Sequence, residues 1–264
     1  MARVNACWPL RSILYTMLSP SSPVLLLHGW AANHHVFDDL ITRLPSGGDY
    51  VALDLPGHGQ AAMPAAFDVA AIAEAYAQTL TEPVHVLGWS LGGHIALYLA
   101  AHHPDRVKSL CLTASFAKFM AADDYPEGLK NPALGKMTTL FQQDYEKYMT
   151  QFFQLQFLYA KDKLPLLTQV LPQVCQYGAP PALAAALDAI EASDARTVLP
   201  RISAPTLLLF GQKDAITPPA MGAYLHQHIP NSQLHLFERA SHAPFLSHAD
   251  EFAHALTQFW ATIL

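Results

Sequence analysis

The chain has 264 residues, with 15 lysines and arginines against 21 aspartates and glutamates, a formal net charge of −6. Hydrophobic residues make up 52% and charged residues 14%, which excludes a disordered chain, and the acidic balance excludes the basic surface of a nucleic-acid binder. The length suits one α/β domain with a large core.

Residues 1–21 read as a variable leader or edge strand. Arg3 and Arg11 precede a short apolar run, Ile13 to Leu18, but Pro9 and Pro20 bracket it. No small-residue cleavage site follows, so no secretory signal is expected. Six short apolar runs then follow at intervals: Val24 to Leu27, Tyr50 to Leu55, Val84 to Leu87, Val107 to Thr113, Thr206 to Phe210 and Gln233 to Phe237. Runs of this kind, without polar alternation, are what a parallel sheet covered on both faces requires. Helical spacing falls between them, over Val69 to Leu80, Gly93 to His103, Pro219 to His228 and Asp250 to Ile263. Strand and helix in alternation predict an α/β fold with a mostly parallel, doubly wound sheet. The rhythm breaks from about Phe116 to Leu199, where only helical patterns occur: Met137 to Tyr159, Leu164 to Val174 and Pro181 to Ala192. The expected organisation is a core of residues 22–115 and 200–264 with a helical lid, 116–199, over the carboxyl edge of the sheet. No apolar run approaches the roughly 18 residues of a membrane span. Cys7, Cys111 and Cys175 fit neither a disulfide framework nor a paired-cysteine metal site; they read as thiols in a reducing, cytoplasmic compartment.

The third apolar run ends in Gly88-Trp89-Ser90-Leu91-Gly92-Gly93. A G-x-S-x-G sequence between a strand and a helix forces the serine into a strained turn and holds its hydroxyl clear of the sheet. Taken alone, a serine here reads first as a helix N-cap; partners in the right order make it a nucleophile. A serine hydroxyl needs a base, and with 14 histidines in the chain position must decide. His242 follows the last strand and precedes the last helix, on the same sheet edge as Ser90, whereas its neighbour His248 is expected to begin that helix. His34, His35, His102, His103, His226 and His228 lie in polar or helix-end stretches. Asp214, just after the fifth strand, is the carboxylate expected to orient His242, and the loop after the fourth strand, Ala114-Ser115-Phe116, offers no acid. The order Ser90, Asp214, His242 is that of α/β-hydrolases. Two backbone N–H groups should hold the oxyanion, those of Leu91 and of Trp30 in His28-Gly29-Trp30. The glycines of Asp54-Leu55-Pro56-Gly57-His58-Gly59 are expected to serve a tight turn, with no catalytic role. No motif for a nucleotide, cofactor or metal occurs, so none is expected.

With these residues in place the chain resembles the α/β-hydrolase superfamily from Val24 onwards. It resembles more closely the pimeloyl-[acyl-carrier protein] methyl ester esterases, through His28-Gly29-Trp30, Gly88 to Gly93, and His242-Ala243-Pro244-Phe245 with Ser247-His248. Phe152-Phe153-Gln154-Leu155-Gln156 is similar to that family's lid segment, which lines the acyl chain. The resemblance implies a serine carboxylesterase acting on the methyl ester of a pimeloyl group borne by acyl-carrier protein, in biotin biosynthesis; a monomer is expected. It also implies substrate contacts at Trp30, Ser90, Leu91, Phe152, Phe153, Gln154, Leu155, Gln156 and His242. Family lids carry basic residues toward the acidic carrier; here Lys118, Lys130, Lys136, Lys147, Lys161 and Lys163 are balanced by Asp123, Asp124, Glu127, Asp144, Glu146 and Asp162. Two alternatives stay open on the residues alone. One is a generalist short-chain carboxylesterase or carbon–carbon bond hydrolase with the same triad. The other is a ligand-binding module that keeps the fold without turnover.

Overall fold

All six apolar runs form strands, and all five pairings between them are parallel. The structure, a computed structural model, describes residues 22–130 and 134–263. The readings made on residues 1–21, Cys7 among them, lie outside the described residues. Strands β1 (Val24–Leu27), β2 (Tyr50–Leu53), β3 (Val84–Trp89), β4 (Val107–Thr113), β5 (Thr206–Gly211) and β6 (Ser232–Phe237) stand in the order β2-β1-β3-β4-β5-β6. β1, β3 and β5 are buried at every residue, as strands covered on both faces must be. β2 and β6 are the edges and are half-exposed, with Val51 and Leu236 open to solvent. The second strand stops at Leu53 rather than Leu55, because the Asp54 carboxylate turns the chain. It accepts the backbone N–H of His34 at 2.8 Å and of Gln60 at 2.9 Å. Gly57 and Gly59 then take φ of 69° and 52°, the left-handed turn expected of them.

Core helices are α1 (Asp38–Arg43), α2 (Val69–Thr79), α3 (Leu91–His102), α8 (Pro219–His228), α9 (Pro244–Ser247) and α10 (Ala249–Ala261). α3 is buried on almost every side, so it reads as uniformly apolar. α2 is amphipathic: Asp68 caps it by accepting Ala71 N–H at 2.9 Å, and Val69, Ile72, Ala73 and Ala77 face inward. His248 is the N-cap residue of α10, as its position suggested.

β4 and β5 are neighbours in the sheet although a long crossover, residues 114–205, separates them in the chain. Among the described residues that crossover holds helices and isolated bridges but no strand. Its helices are α4 (Leu134–Gln143), α5 (Tyr145–Gln156), α6 (Leu167–Cys175) and α7 (Leu183–Ala192). The single helical pattern read over Met137 to Tyr159 is therefore two helices. Asp144 separates them, its carboxylate accepting Lys147 N–H at 3.1 Å to start α5, which is the cap geometry short acidic side chains favour over a helix interior.

Four imidazoles are sealed in the core: His28, His58, His85 and His94. His94 ties α3 to the crossover, through Phe116 C=O at 2.9 Å and the Ser193 hydroxyl at 2.8 Å. Burial above all lowers the pKa of His28 to about 3 and those of His58, His85 and His94 to about 4. With folded values depressed, the unfolded chain binds protons that the folded chain refuses. Stability held above pH 6.5 is thus lost as pH falls towards 4, by about 1.4 kcal/mol per pH unit for each ring that stays neutral. Urea unfolding at pH 7.5, 6.0 and 5.0 should show midpoints falling steeply below pH 6.5; a flat profile across that window would contradict the buried neutral state.

Candidate active site

Parallel strands bring their carboxyl ends to one edge, and the order places β1 between β2 and β3, so the chain leaves this edge in opposite directions on the two sides of β1. Crevices at such points receive ligands in open α/β sheets. Trp30 follows β1, Ser90 follows β3, Asp214 follows β5 and His242 follows β6.

Ser90 has φ 53° and ψ −115°, a sparsely populated backbone state for a residue with a Cβ. Its surroundings leave little choice. Ser90 N–H donates to Thr113 C=O at 3.0 Å and the Ser115 hydroxyl donates to Ser90 C=O at 3.1 Å. Helix α3 packs so close to β1 that a Cβ on Gly92 would lie 2.1 Å from the Leu27 carbonyl oxygen. Leu91 opens α3, so its N–H has no intrahelical acceptor. The acid-free loop after β4 thus buttresses the turn.

His242 Nδ1–H donates to Asp214 Oδ2 at 2.9 Å. Both side chains are buried, with residue exposures of 3% and 4%, so this bond forms away from water. The Asp214 carboxylate also accepts Ile216 N–H at 2.8 Å, Thr217 N–H at 2.9 Å and the Thr217 hydroxyl at 2.7 Å. Those donors hold the carboxylate in one orientation. Thr217 Oγ1 lies 3.1 Å from His242 Nδ1 as well. The His242 backbone is fixed on both sides: its N–H donates to Gln156 Oε1 at 3.0 Å, and its C=O accepts the Trp89 indole N–H at 2.9 Å.

Ser90 and His242 share the wall of one small cavity of about 20 Å³, room for about one water. Its other walls are Trp30, Trp89, Phe116, Phe119 and Ile216, with Phe152 from α5 and Ile190 from α7. The expected contact segment divides. Phe152 reaches the cavity, Phe153 is sealed in the core, and Gln156 turns inward to His242. Gln154 and Leu155 do not come to the site: Gln154 is exposed and Leu155 is 61% exposed. At about 100° per residue a helix cannot present five consecutive side chains to one side. In this arrangement Gln154 and Leu155 stand outside the cavity that Ser90 and His242 line.

Besides the wall residues Phe116, Phe119, Ile190 and Ile216, three supporting residues escaped the sequence reading. Thr217 and Trp89 act through Asp214 and His242, and neither residue type in its local sequence signals that. His28 is the third: Leu55 N–H donates to its Nε2 at 2.9 Å, so its proton sits on Nδ1 and is donated to Gly29 C=O at 2.8 Å. His248 pairs with the Ser247 hydroxyl and is absent from the cavity walls. Among the described residues no cluster of histidine, cysteine or carboxylate side chains could hold a metal ion, and no helix is long and apolar enough to cross a membrane.

Thr217→Val keeps the shape and removes the hydroxyl. A hydrogen bond to a charged group contributes about 1.5–3 kcal/mol, so kcat for ester turnover should fall on the order of tenfold with KM little changed. Steady-state kinetics on a chromogenic ester measures this; an unchanged kcat would remove Thr217 from the site.

A model of the alpha/beta hydrolase fold matches residues 22–249. A pimeloyl-[acyl-carrier protein] methyl ester esterase from Neisseria meningitidis is 56% identical over 230 residues, 87% of this chain and 90% of that protein. One of the same name from Chromobacterium violaceum is 35% identical over 93% of this chain and 96% of its own length. Among solved structures, an esterase from Exiguobacterium antarcticum, 28% identical, superposes with a TM-score of 0.79 over 92% of both chains. A strained serine at a strand-to-helix turn, a buried carboxylate–imidazole pair on the same sheet edge and these likenesses agree, and the chain belongs to the α/β-hydrolase family, in the group of the pimeloyl-[acyl-carrier protein] methyl ester esterases.

Proposed function

We propose that the protein is a serine carboxylesterase that hydrolyses the methyl ester of pimeloyl-acyl-carrier protein, releasing methanol and the free distal carboxylate, in biotin biosynthesis. The observation that carries this reading is the buried His242–Asp214 pair at 2.9 Å opening on the cavity that Ser90 lines. Ser90 Oγ attacks the ester carbonyl while His242 takes its proton, and Asp214 stabilises the resulting imidazolium. The N–H groups of Trp30 and Leu91 receive the oxyanion. On collapse the bond to the methoxy oxygen breaks, and His242 returns its proton to the departing methoxide. Water, deprotonated by His242, then attacks the acyl-enzyme; the carboxylate leaves and Ser90 regains its proton. The residues supply every proton transfer, so no cofactor takes part.

A cavity of about 20 Å³ is far below the roughly 300–1,000 Å³ of small-molecule sites. Admission of the acyl chain therefore requires α5 and α7, which bring Phe152 and Ile190, to shift outward. Buried methylenes then contribute about 0.8 kcal/mol each, which supports a preference for a long apolar acyl chain. The partner in this reading is an acidic acyl-carrier protein meeting a cytoplasmic, monomeric enzyme. Lys118 is engaged by Asp194 at 3.0 Å and Lys163 lies 3.7 Å from Asp162, and Lys130, Lys136, Lys147, Lys161 and Lys163 are all exposed on the crossover. A local cluster of these charges can steer an acidic carrier even where the balance is near zero.

Purified protein should release methanol from pimeloyl-carrier methyl ester and restore growth of a biotin auxotroph lacking the esterase. Ser90→Ala should abolish both while melting as the wild type does. Rapid cleavage of short acyl esters with no action on the carrier-bound ester would instead favour a generalist carboxylesterase.

A further inference from the structure

Lid helices hold the loop that carries Trp30. Tyr145, the first residue of α5, donates its hydroxyl to Ala31 C=O at 2.6 Å. The Trp30 indole N–H donates to Leu183 C=O, at the start of α7, at 2.8 Å. The Asn33 side-chain amide donates to Val174 C=O, near the end of α6, at 2.9 Å. Beneath the loop, His28 Nδ1–H holds Gly29 C=O. That carbonyl and Trp30 N–H belong to one planar trans peptide and point opposite ways, so fixing the carbonyl aims the N–H. Gly29 lies against the nucleophile, since a Cβ there would stand 3.2 Å from Ser90 Cβ. The next residue, Ala31, has φ 64°. A non-glycine residue keeps that conformation only where its surroundings over-determine it, and its carbonyl is the group that Tyr145 grips. Tyr145 and Ala31 are both buried. Burial pushes the Tyr145 hydroxyl above the usual phenol range, so it stays protonated and remains a donor.

We propose that Tyr145 is a positioning residue of the oxyanion hole, holding Ala31 in its left-handed conformation so that Trp30 N–H faces the cavity beside Ser90. This rests on the esterase reading of that site. The hole is then complete only while α5 lies in place. Outward movement of α5 to admit substrate carries the Tyr145 hydroxyl away from Ala31, and its return over the bound acyl chain restores the donor. Acyl binding and catalytic competence are thereby coupled through one side chain that touches neither substrate nor triad.

The test is Tyr145→Phe in the full chain, which removes only the hydroxyl. Loss of a whole oxyanion donor lowers rates by about 10²–10³, and loosening one should lower kcat about tenfold with KM within about twofold. Phosphonylation of Ser90 by a small fluorophosphonate, which uses the same hole but no acyl channel, should slow by a similar factor. The pH profile should keep its midpoint, because His242 and Asp214 are untouched. An unchanged kcat, or a rise in KM alone with unaltered phosphonylation, would overturn the proposal and leave Tyr145 a lid fastener. Should the variant fail to fold by circular dichroism, Asn33→Asp carries the test. It preserves the acceptor for His35 N–H but sets a carboxylate against Val174 C=O, and the same loss of kcat and of phosphonylation rate is expected. Wild-type protein inert to both the methyl ester and the fluorophosphonate would be a different failure, that of the esterase reading itself.

Discussion

The backbone of Ser90 cannot relax. At φ 53° it departs from the strand it follows and the helix it precedes, a state that costs of order 1–3 kcal/mol. The turn persists because β3 is buried on both faces and α3 packs against β1 closely enough that only glycine fits at position 92. Relaxing Ser90 would mean pulling a buried helix away from a buried strand. A fully formed core of that kind stabilises far more than the strained residue destabilises. The side chain is consequently delivered to the carboxyl edge of the sheet at a helix N-terminus, where the first backbone N–H groups have no intrahelical acceptor.

The other members reach the same edge for one reason: strands that run parallel end together. β1, β3, β5 and β6 each release their loop there, so Trp30, Ser90, Asp214 and His242 converge although they span most of the chain. Convergence alone does not orient them. Asp214 is held by three donors from the turn that follows it, and His242 by Trp89 below and Gln156 above. The buried stripe of α5, Tyr145, Met149, Phe153 and Gln156, repeats at helical spacing. Its two polar ends meet two loops at the carboxyl edge of the sheet, Tyr145 the loop after β1 and Gln156 the loop after β6. The crossover is therefore joined to these loops by hydrogen bonds as well as covering the cavity between them with apolar surface.

The high apolar content divides between these roles. Most of it fills the sheet and α3. A second portion, Phe116, Phe119, Phe152, Ile190 and Ile216, walls the small cavity on which Ser90 opens, and hydrogen bonds to charge act more strongly in such apolar surroundings. A third portion, Leu155, Leu158 and Tyr159, is exposed at the end of α5, on the side away from the cavity. The low charge content thus reflects the core first and the covering of the site second.

What the sequence by itself determined is everything set by local pattern. Unalternating apolar runs became the six strands. G-x-S-x-G after a strand announced the turn at Ser90, and the positions of Asp214 and His242 after the last two strands put them on its edge. These are properties of short segments and of chain order, which physics reads without knowing what lies opposite. Only the tertiary structure decided the rest. It separated Phe152 and Gln156 from Gln154 and Leu155, because facing depends on where α5 lies. It brought Thr217, Trp89 and His28 into support of the site, and set Tyr145 on Ala31, 114 positions away. Such contacts join residues distant in the chain through hydrogen bonds of fixed direction, and no local spacing encodes which distant group will stand 3 Å away.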